Sequence, residues 1–330
     1  MSSTVTVNEG FDVVRRRLAA LLTPGVPVVS EPQPLEVASR GVQDPPTMRA
    51  AEVIEAPMRA RPIQDIRETG FAAFLDGAQW SLPAAWVGSV PVVHGTVAAV
   101  IRERRERRLV TWRSPMVERA LYAPVPLLSA EARAAIDATG LRLVDTLDAH
   151  KAESTHPFAL QELAYRAVLA ARERLEQSLG AQWCEQSDAT LFVDGGISGS
   201  AAMARAKCVV GVVKSHQTLH ANDSDVAVIM ALRPRERSSV VRIAATKRTA
   251  VASWYLRLRD STGQDPLWGL VRVEIALAPA LDVAQLAARA DRISSWILAE
   301  TLPLSAPDSR WDNMVYGIRD CEEFLRATRA

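Results

Sequence analysis

The sequence predicts an α/β protein: a mixed sheet flanked by helices, preceded by an irregular Pro-rich N-terminal arm. Three observations predict this. FALQELAYRAVLAARERLEQSLG (158–180) repeats apolar residues at helical spacing, which marks one long amphipathic helix. Apolar, β-branched runs bounded by turn residues lie before and after it. Prolines crowd PGVPVVSEPQP (24–34) and Asp44-Pro45-Pro46, where regular structure is disfavoured.

Taken in order, residues 1–65 form the arm or linker, opening with an amphipathic stretch around Phe11–Leu22 and packing on the body only in pieces. The body, 66–330, starts with two strands, FAAFLDG (71–77) and PVVHGTVAAVIRE (91–103). From about 104 to 155 the pattern is irregular and charged. RERRERR (102–108) places five arginines in seven residues; its two interleaved glutamates favour a solvated strand end or turn over a phosphate contact. In the helix at 158–180, Leu160, Leu163, Ala164, Ala167, Val168, Ala171 and Leu175 share one face and Gly180 supplies the stop. Strands follow at TLFVDGG (190–196), KCVVGVVK (207–214), DVAVIMAL (225–232), SVVRIA (239–244), ASWYLRLR (252–259) and GLVRVEIAL (269–277). Helices over about 282–300 and 318–329 close the chain.

Composition excludes several classes. Lys and Arg number 39 against 38 Asp and Glu, net +1, so neither a polybasic tail nor an acidic disordered chain is present. No run of about 18 apolar residues occurs and the N-terminus lacks a cleavable apolar signal, which predicts a cytoplasmic protein with no membrane association. Cys184, Cys208 and Cys321 are odd in number and far apart, without the spacing of a disulfide framework or zinc knuckle. No P-loop, GxGxxG, HExxH or GxSxG motif is found.

What recurs is an apolar run ending in Asp-Gly: FLDG places Asp76 and FVDGG places Asp194, each at the C-terminal end of a predicted strand. Two carboxylates brought together there repel unless a divalent cation lies between them, an arrangement suited to phosphodiester hydrolysis. The alternative is that each Asp-Gly is simply a turn. Lys214 ends an apolar strand and is followed by Ser215 and His216; it either contacts a scissile phosphate or orients water, or is a strand-end lysine in solvent. His216 and His220 are weaker candidates. Arg272 and Glu274 share a strand face, as a cross-strand pair does. RPRER (233–237), TKR (246–248) and the 102–108 run are the local basic patches available to DNA.

FAAFLDGAQ, the long helix, LFVDGGIS, CVVGVVKSH, WYLRLR, LVRVEIA and VYGI resemble, in block order over about 70–330, the NurA family of nucleases. The resemblance implies a ribonuclease H-like fold and a DNA nuclease using Mn²⁺ or Mg²⁺. It also implies a homodimer that works with a HerA-type hexameric ATPase pumping DNA into it, in DNA end processing or phage defence. Asp76 and Asp194 then match the two metal-binding aspartates. Glu162, with Glu173 as the alternative, matches the acid on the helix, although Glu162 also suits a solvated pair with Arg166. The family's Tyr-Pro segment and following histidine are replaced by RWDNMVYGIRDCEEFLRA (310–327), where Gly317 stands for the proline and no histidine follows. Asp312, Asp320 or Glu322 supplies the missing ligand, or the site works with fewer; Arg310 and Tyr316 are candidates for holding the substrate backbone. The departure also favours a second function, a non-catalytic DNA-binding or assembly subunit of such an ATPase complex. A third, an Argonaute-like or transposase-like relative, would require a guide or strand joining.

Overall fold

The computed structural model describes residues 7–22, 45–64, 69–106, 108–147, 155–277, 282–301 and 315–327. Within these, helix α1 (Val7–Leu21) is followed by three short strands, β1 (Thr47–Arg49), β2 (Glu52–Val53) and β3 (Arg61–Pro62). A long hairpin comes next, β4 (Ala73–Val87) and β5 (Val90–Arg105), then β6 (Arg108–Thr111), β7 (Met116–Ala123), α2 (Ala130–Asp137) and β8 (Arg142–Asp145). The central helix α3 (Pro157–Gln186) leads to β9 (Leu191–Asp194), the short α4 (Ala201–Arg205), β10 (Val209–Val213), β11 (Thr218–His220) and α5 (Asp223–Met230). Strands β12 (Glu236–Arg237), β13 (Val241–Ile243), β14 (Val251–Arg257) and β15 (Leu270–Ala276) precede α6 (Val283–Glu300) and α7 (Tyr316–Ala327).

One mixed sheet dominates, with the path β2-β13-β14-β15-β10-β9-β4-β5-β7-β8 and β12, β3 and β6 attached at its sides. At its centre β10, β9 and β4 run parallel, whereas β5 and β15 flank them antiparallel. Side chains alternate along each strand, and each face has its own core. On one, Phe74, Phe192, Val210, Val212 and Trp254 pack against Ile293 and Ile297 of α6 and Ile318, Cys321 and Leu325 of α7. On the other, Leu75, Leu191 and Val193 meet Ala164, Val168, Ala171, Leu175 and Leu179 of α3. α3 starts where His156 accepts the Phe158 N–H and Pro157 occupies the first turn, a position that needs no backbone donor.

Four expectations change. α3 does not stop at Gly180 but continues to Gln186; the glycine is there because a side chain would collide with Met203 of α4. β4 does not end at the Asp-Gly pair: it continues to Val87, and Asp76 is the fourth of its 15 residues. Pro83 is tolerated because the register shifts between Pro83 and Ala85, a bulge that removes the need for its missing N–H. The stretch from 104 to 147 is regular rather than irregular, supplying three strands and a helix. Residues 225–232, expected as a strand, are mostly helix α5, with Asp223 and Asp225 in its first turn; an eight-residue apolar run carries no period that separates the two states, and acids at the N-terminus favour the helix.

Within the segment read as an arm, α1 buries Phe11, Val14 and Leu18 against the far end of the hairpin and α2. β2 and β3 pair with β13 and β12. Glu55 enters the core, where its two oxygens accept from Arg237 Nη1 at 2.7 Å and Nη2 at 3.2 Å. Residues 24–34, Asp44, Arg310 and Asp312 lie outside the described residues.

Candidate active site at the sheet rim

Register brings the two aspartates together. β4 sets Phe74 beside Phe192 and Leu75 beside Val193, so the next residues, Asp76 and Asp194, fall side by side where β9 ends. β10 places Val212 beside Asp194, and Lys214 follows two residues later on the same face. Lys214 Nζ lies 2.8 Å from Asp194 Oδ2. Gly195, at φ +136°, turns the chain immediately after Asp194, a conformation open to glycine alone among common residues.

Asp76 is buried, and Gly77 N–H donates to its Oδ1 at 2.8 Å. Burial pushes its pKa well above the usual carboxylate range, the charges of Asp194 and Glu176 push it further, and Lys214 and the Gly77 N–H only partly offset them.

The α3 acid beside Asp76 is Glu176, which the sequence reading did not single out. It reaches the rim from the α3 side over Gly77, where a side chain on the strand would block it. Its pKa rises to about 7, chiefly through burial; Arg172 lowers it, and Asp194 and Glu173 raise it. Glu176 Oε1 is 3.5 Å from Arg172 Nε, yet among the described residues the oxygen has no hydrogen-bond partner. A signal for it was present: at about 100° per residue Glu176 sits roughly 60° from buried Leu179, on the border of the apolar stripe. Glu162, the expected ligand, lies instead in a half-exposed i,i+4 pair with Arg166 at 3.3 Å, fourteen positions and about 21 Å along the helix from Glu176. Glu173, its alternative, lines a neighbouring cleft.

The remaining candidates are placed as follows. His216 Nε2 meets the Leu270 carbonyl at 2.8 Å, and burial lowers its pKa. Burial, then Arg272, Arg49 and Arg248, lowers that of His220 to about 4. Glu274 is structural, as its pairing with Arg272 suggested: Oε1 is 2.9 Å from Arg272 Nη2, and Oε2 accepts the Ile197 N–H at 2.9 Å, fixing the loop after Asp194. Tyr316 is exposed at the start of α7. Asp320 pairs with Arg102 at 2.5 Å and Glu322 with Arg326 at 3.2 Å. Between them Cys321 is the α7 residue that senses Asp76: burial raises its thiol pKa first, and Asp76 and Asp320 add to it. Arg102 and Arg104 of the 102–108 run are held by Asp320 and Glu300, so these two arginines serve the fold.

Among the described residues no three His, Cys, Asp or Glu side chains converge into a ready metal shell. The reason is geometric, since Asp76 and Asp194 occupy one face and Glu176 arrives from the other. The donor chemistry nevertheless fits a hard divalent cation: all donors are carboxylate oxygens, one lacks a hydrogen bond, and the crowded acids have a single ammonium among them. No protein-family model matches the sequence, and a search of curated proteins finds no match. Among the described residues no helix is long and apolar enough to cross a membrane.

Proposed function

We propose that the chain is a metal-dependent deoxyribonuclease with a ribonuclease H-like architecture. The observation that carries this reading is the adjacency of Asp76 and Asp194 on parallel strands, with Lys214 on Asp194 and Glu176 reaching the same rim. Asp76, Asp194 and Glu176 would hold Mn²⁺ or Mg²⁺, which when bound supplies the charge that activates water and stabilises the leaving oxygen. Lys214, beside Asp194 at the same rim, would offset charge that develops on a phosphate oxygen during hydrolysis. The NurA resemblance extends this reading to a homodimer fed by a HerA-type hexameric ATPase, in end processing or defence against phage DNA. With 39 basic and 38 acidic residues, delivery by a partner suits a surface with no global attraction for DNA.

The test is Mn²⁺-dependent cleavage of labelled single- and double-stranded DNA by the full chain, with and without its ATPase. Asp194→Ala abolishes cleavage while the circular dichroism spectrum is kept; cleavage retained in that variant overturns the assignment. A second reading, a non-catalytic DNA-binding subunit, is favoured by the lack of a histidine in RWDNMVYGIRDCEEFLRA (310–327). It predicts DNA shifted and left intact.

A further inference from the structure

A second polar site adjoins the first. A cleft of about 840 Å³ opens between the small β1–β11 sheet, the loop after β13 and the end of β15. Arg49, Arg248 and Arg272 come to it from those three elements, and among the described residues no Phe, Tyr or Trp lines it. His220 lines the same cleft, and burial, then the charges of Arg272, Arg49 and Arg248, lower its pKa. Two acids also line the cleft. Glu274 is spent on Arg272 and on the Ile197 N–H, and Glu173 is exposed on α3. Arg272 is deeply buried, its side chain only 11% exposed, yet its Nε has no hydrogen-bond partner among the described residues. Arg248 Nη1 reaches Ser198 Oγ at 3.4 Å.

Three guanidiniums brought from separate elements to one polar cleft suit an anion; planar forks match phosphate oxygens. Without an aromatic platform the cleft lacks the surface on which bases stack, and its volume is that of a nucleotide-sized ligand. We propose that this cleft is a phosphate clamp, in which Arg49, Arg248 and Arg272 hold the sugar-phosphate of a nucleotide without reading its base. It shares chain with the acidic rim at three points. Val213 and Ser215 line the cleft while Lys214 between them reaches Asp194; Ser198 lines it four residues after Asp194; Glu173 lines it one turn before Glu176. That a clamped strand leads on to Asp194 rests on the nuclease reading, whereas the clamp itself is a matter of binding.

The experiment uses the full chain carrying Asp194→Asn and measures fluorescence anisotropy of fluorescein-labelled oligo-dT and oligo-dC over a salt series. Adding Arg49→Ala and Arg248→Ala, both exposed positions, weakens binding of both oligonucleotides alike by roughly tenfold or more, and lowers the salt slope by about 1.4 for two lost phosphate contacts. Arg49→Lys with Arg248→Lys restores much of the affinity, and thermal melting checks that the fold is kept. Competition by a free mononucleotide at sub-millimolar concentration identifies a soluble nucleotide as the source of the phosphate; its failure to compete while the oligonucleotides respond identifies a strand. Unchanged affinity and salt slope in the alanine variant overturn the clamp. Cleavage by the Asp194 chain with Mn²⁺ is scored separately, so a clamp without cleavage, or cleavage without a clamp, distinguishes the failure of either reading.

Discussion

Glu176 occupies the space that Gly77 leaves open: a Cβ built on Gly77 would overlap Oε1, Cδ and Cγ of Glu176. The second half of the Asp-Gly pair therefore acts as a window in β4, through which an acid from α3 comes near two aspartates on the opposite face. Gly77→Ala closes that window. The flexible Glu176 side chain swings aside, the fold survives, and Mn²⁺-dependent cleavage drops by about a hundredfold, the usual consequence of an ångström-scale misplacement. Single-turnover cleavage and circular dichroism check this; full activity in the variant removes Glu176 from the reaction centre.

Glu162 and Glu176 give a paired comparison on one helix. Glu162→Gln loses an exposed i,i+4 pair worth a few tenths of a kcal/mol and keeps its cleavage rate. Glu176→Gln slows cleavage roughly tenfold or more, at least about 1.4 kcal/mol of barrier. Steady-state rates at saturating Mn²⁺ decide between them, and equal rates would show that α3 contributes no acid.

His94 predicts an acid-sensitive fold. It is buried in β5 beneath Phe11 of α1, with ring centroids 6.0 Å apart, and Nε2 has no hydrogen-bond partner among the described residues. Burial, with Arg119 adding to it, lowers its pKa to about 4 from an ordinary 6.5. Above pH 6.5 the imidazole is neutral folded or unfolded, and stability is full. Below that the unfolded chain takes a proton that the folded chain refuses, so stability is lost as pH falls toward 4, by up to about 3 kcal/mol. His94→Leu removes this loss: urea midpoints of wild type and variant converge, or cross in the variant's favour, between pH 7 and pH 4. Parallel midpoints across that range would contradict it.

Arg237 is 1% exposed and is held by Glu55 on one side and Asp291 on the other. Removing Glu55 strands a buried charge, so Glu55→Ala costs about 3–5 kcal/mol in urea denaturation. Asp291→Ala costs less, because Asp291 is half exposed and water replaces it. Equal losses would mean that burial does not govern the pair.

The sequence was most legible where a period and a chemical identity coincided. The start of the long helix and the strands around Asp194, Lys214 and Glu274 follow from apolar patterning and lie where it puts them, whereas Gly180 read as a stop and is passed by the helix, which runs to Gln186. Asp76 was legible as a residue but not as a place: Gly77 and Pro83 both read as punctuation, and only pairing on both sides of β4 shows the strand passing through. Glu176 was hidden because its reason for being buried belongs to another element, the missing side chain of Gly77, which no helical wheel contains. α5 was lost to a run too short to carry a period. The arginines of 102–108 and 233–237 looked alike in composition, yet Arg102, Arg104 and Arg237 are counter-ions inside the fold; a count of charges carries no information about which of them find partners far along the chain.

The Glu55–Arg237 pair joins residues 182 positions apart, and Asp291 completes it later still. During synthesis Glu55 emerges long before either partner exists, so the early segment waits while the central strands and α3 are made. A contact of such long span forms slowly, because much chain entropy is lost before it is repaid. The edge that β2 and β3 cover is formed by β13 and β12, strands that the chain supplies only after residue 235.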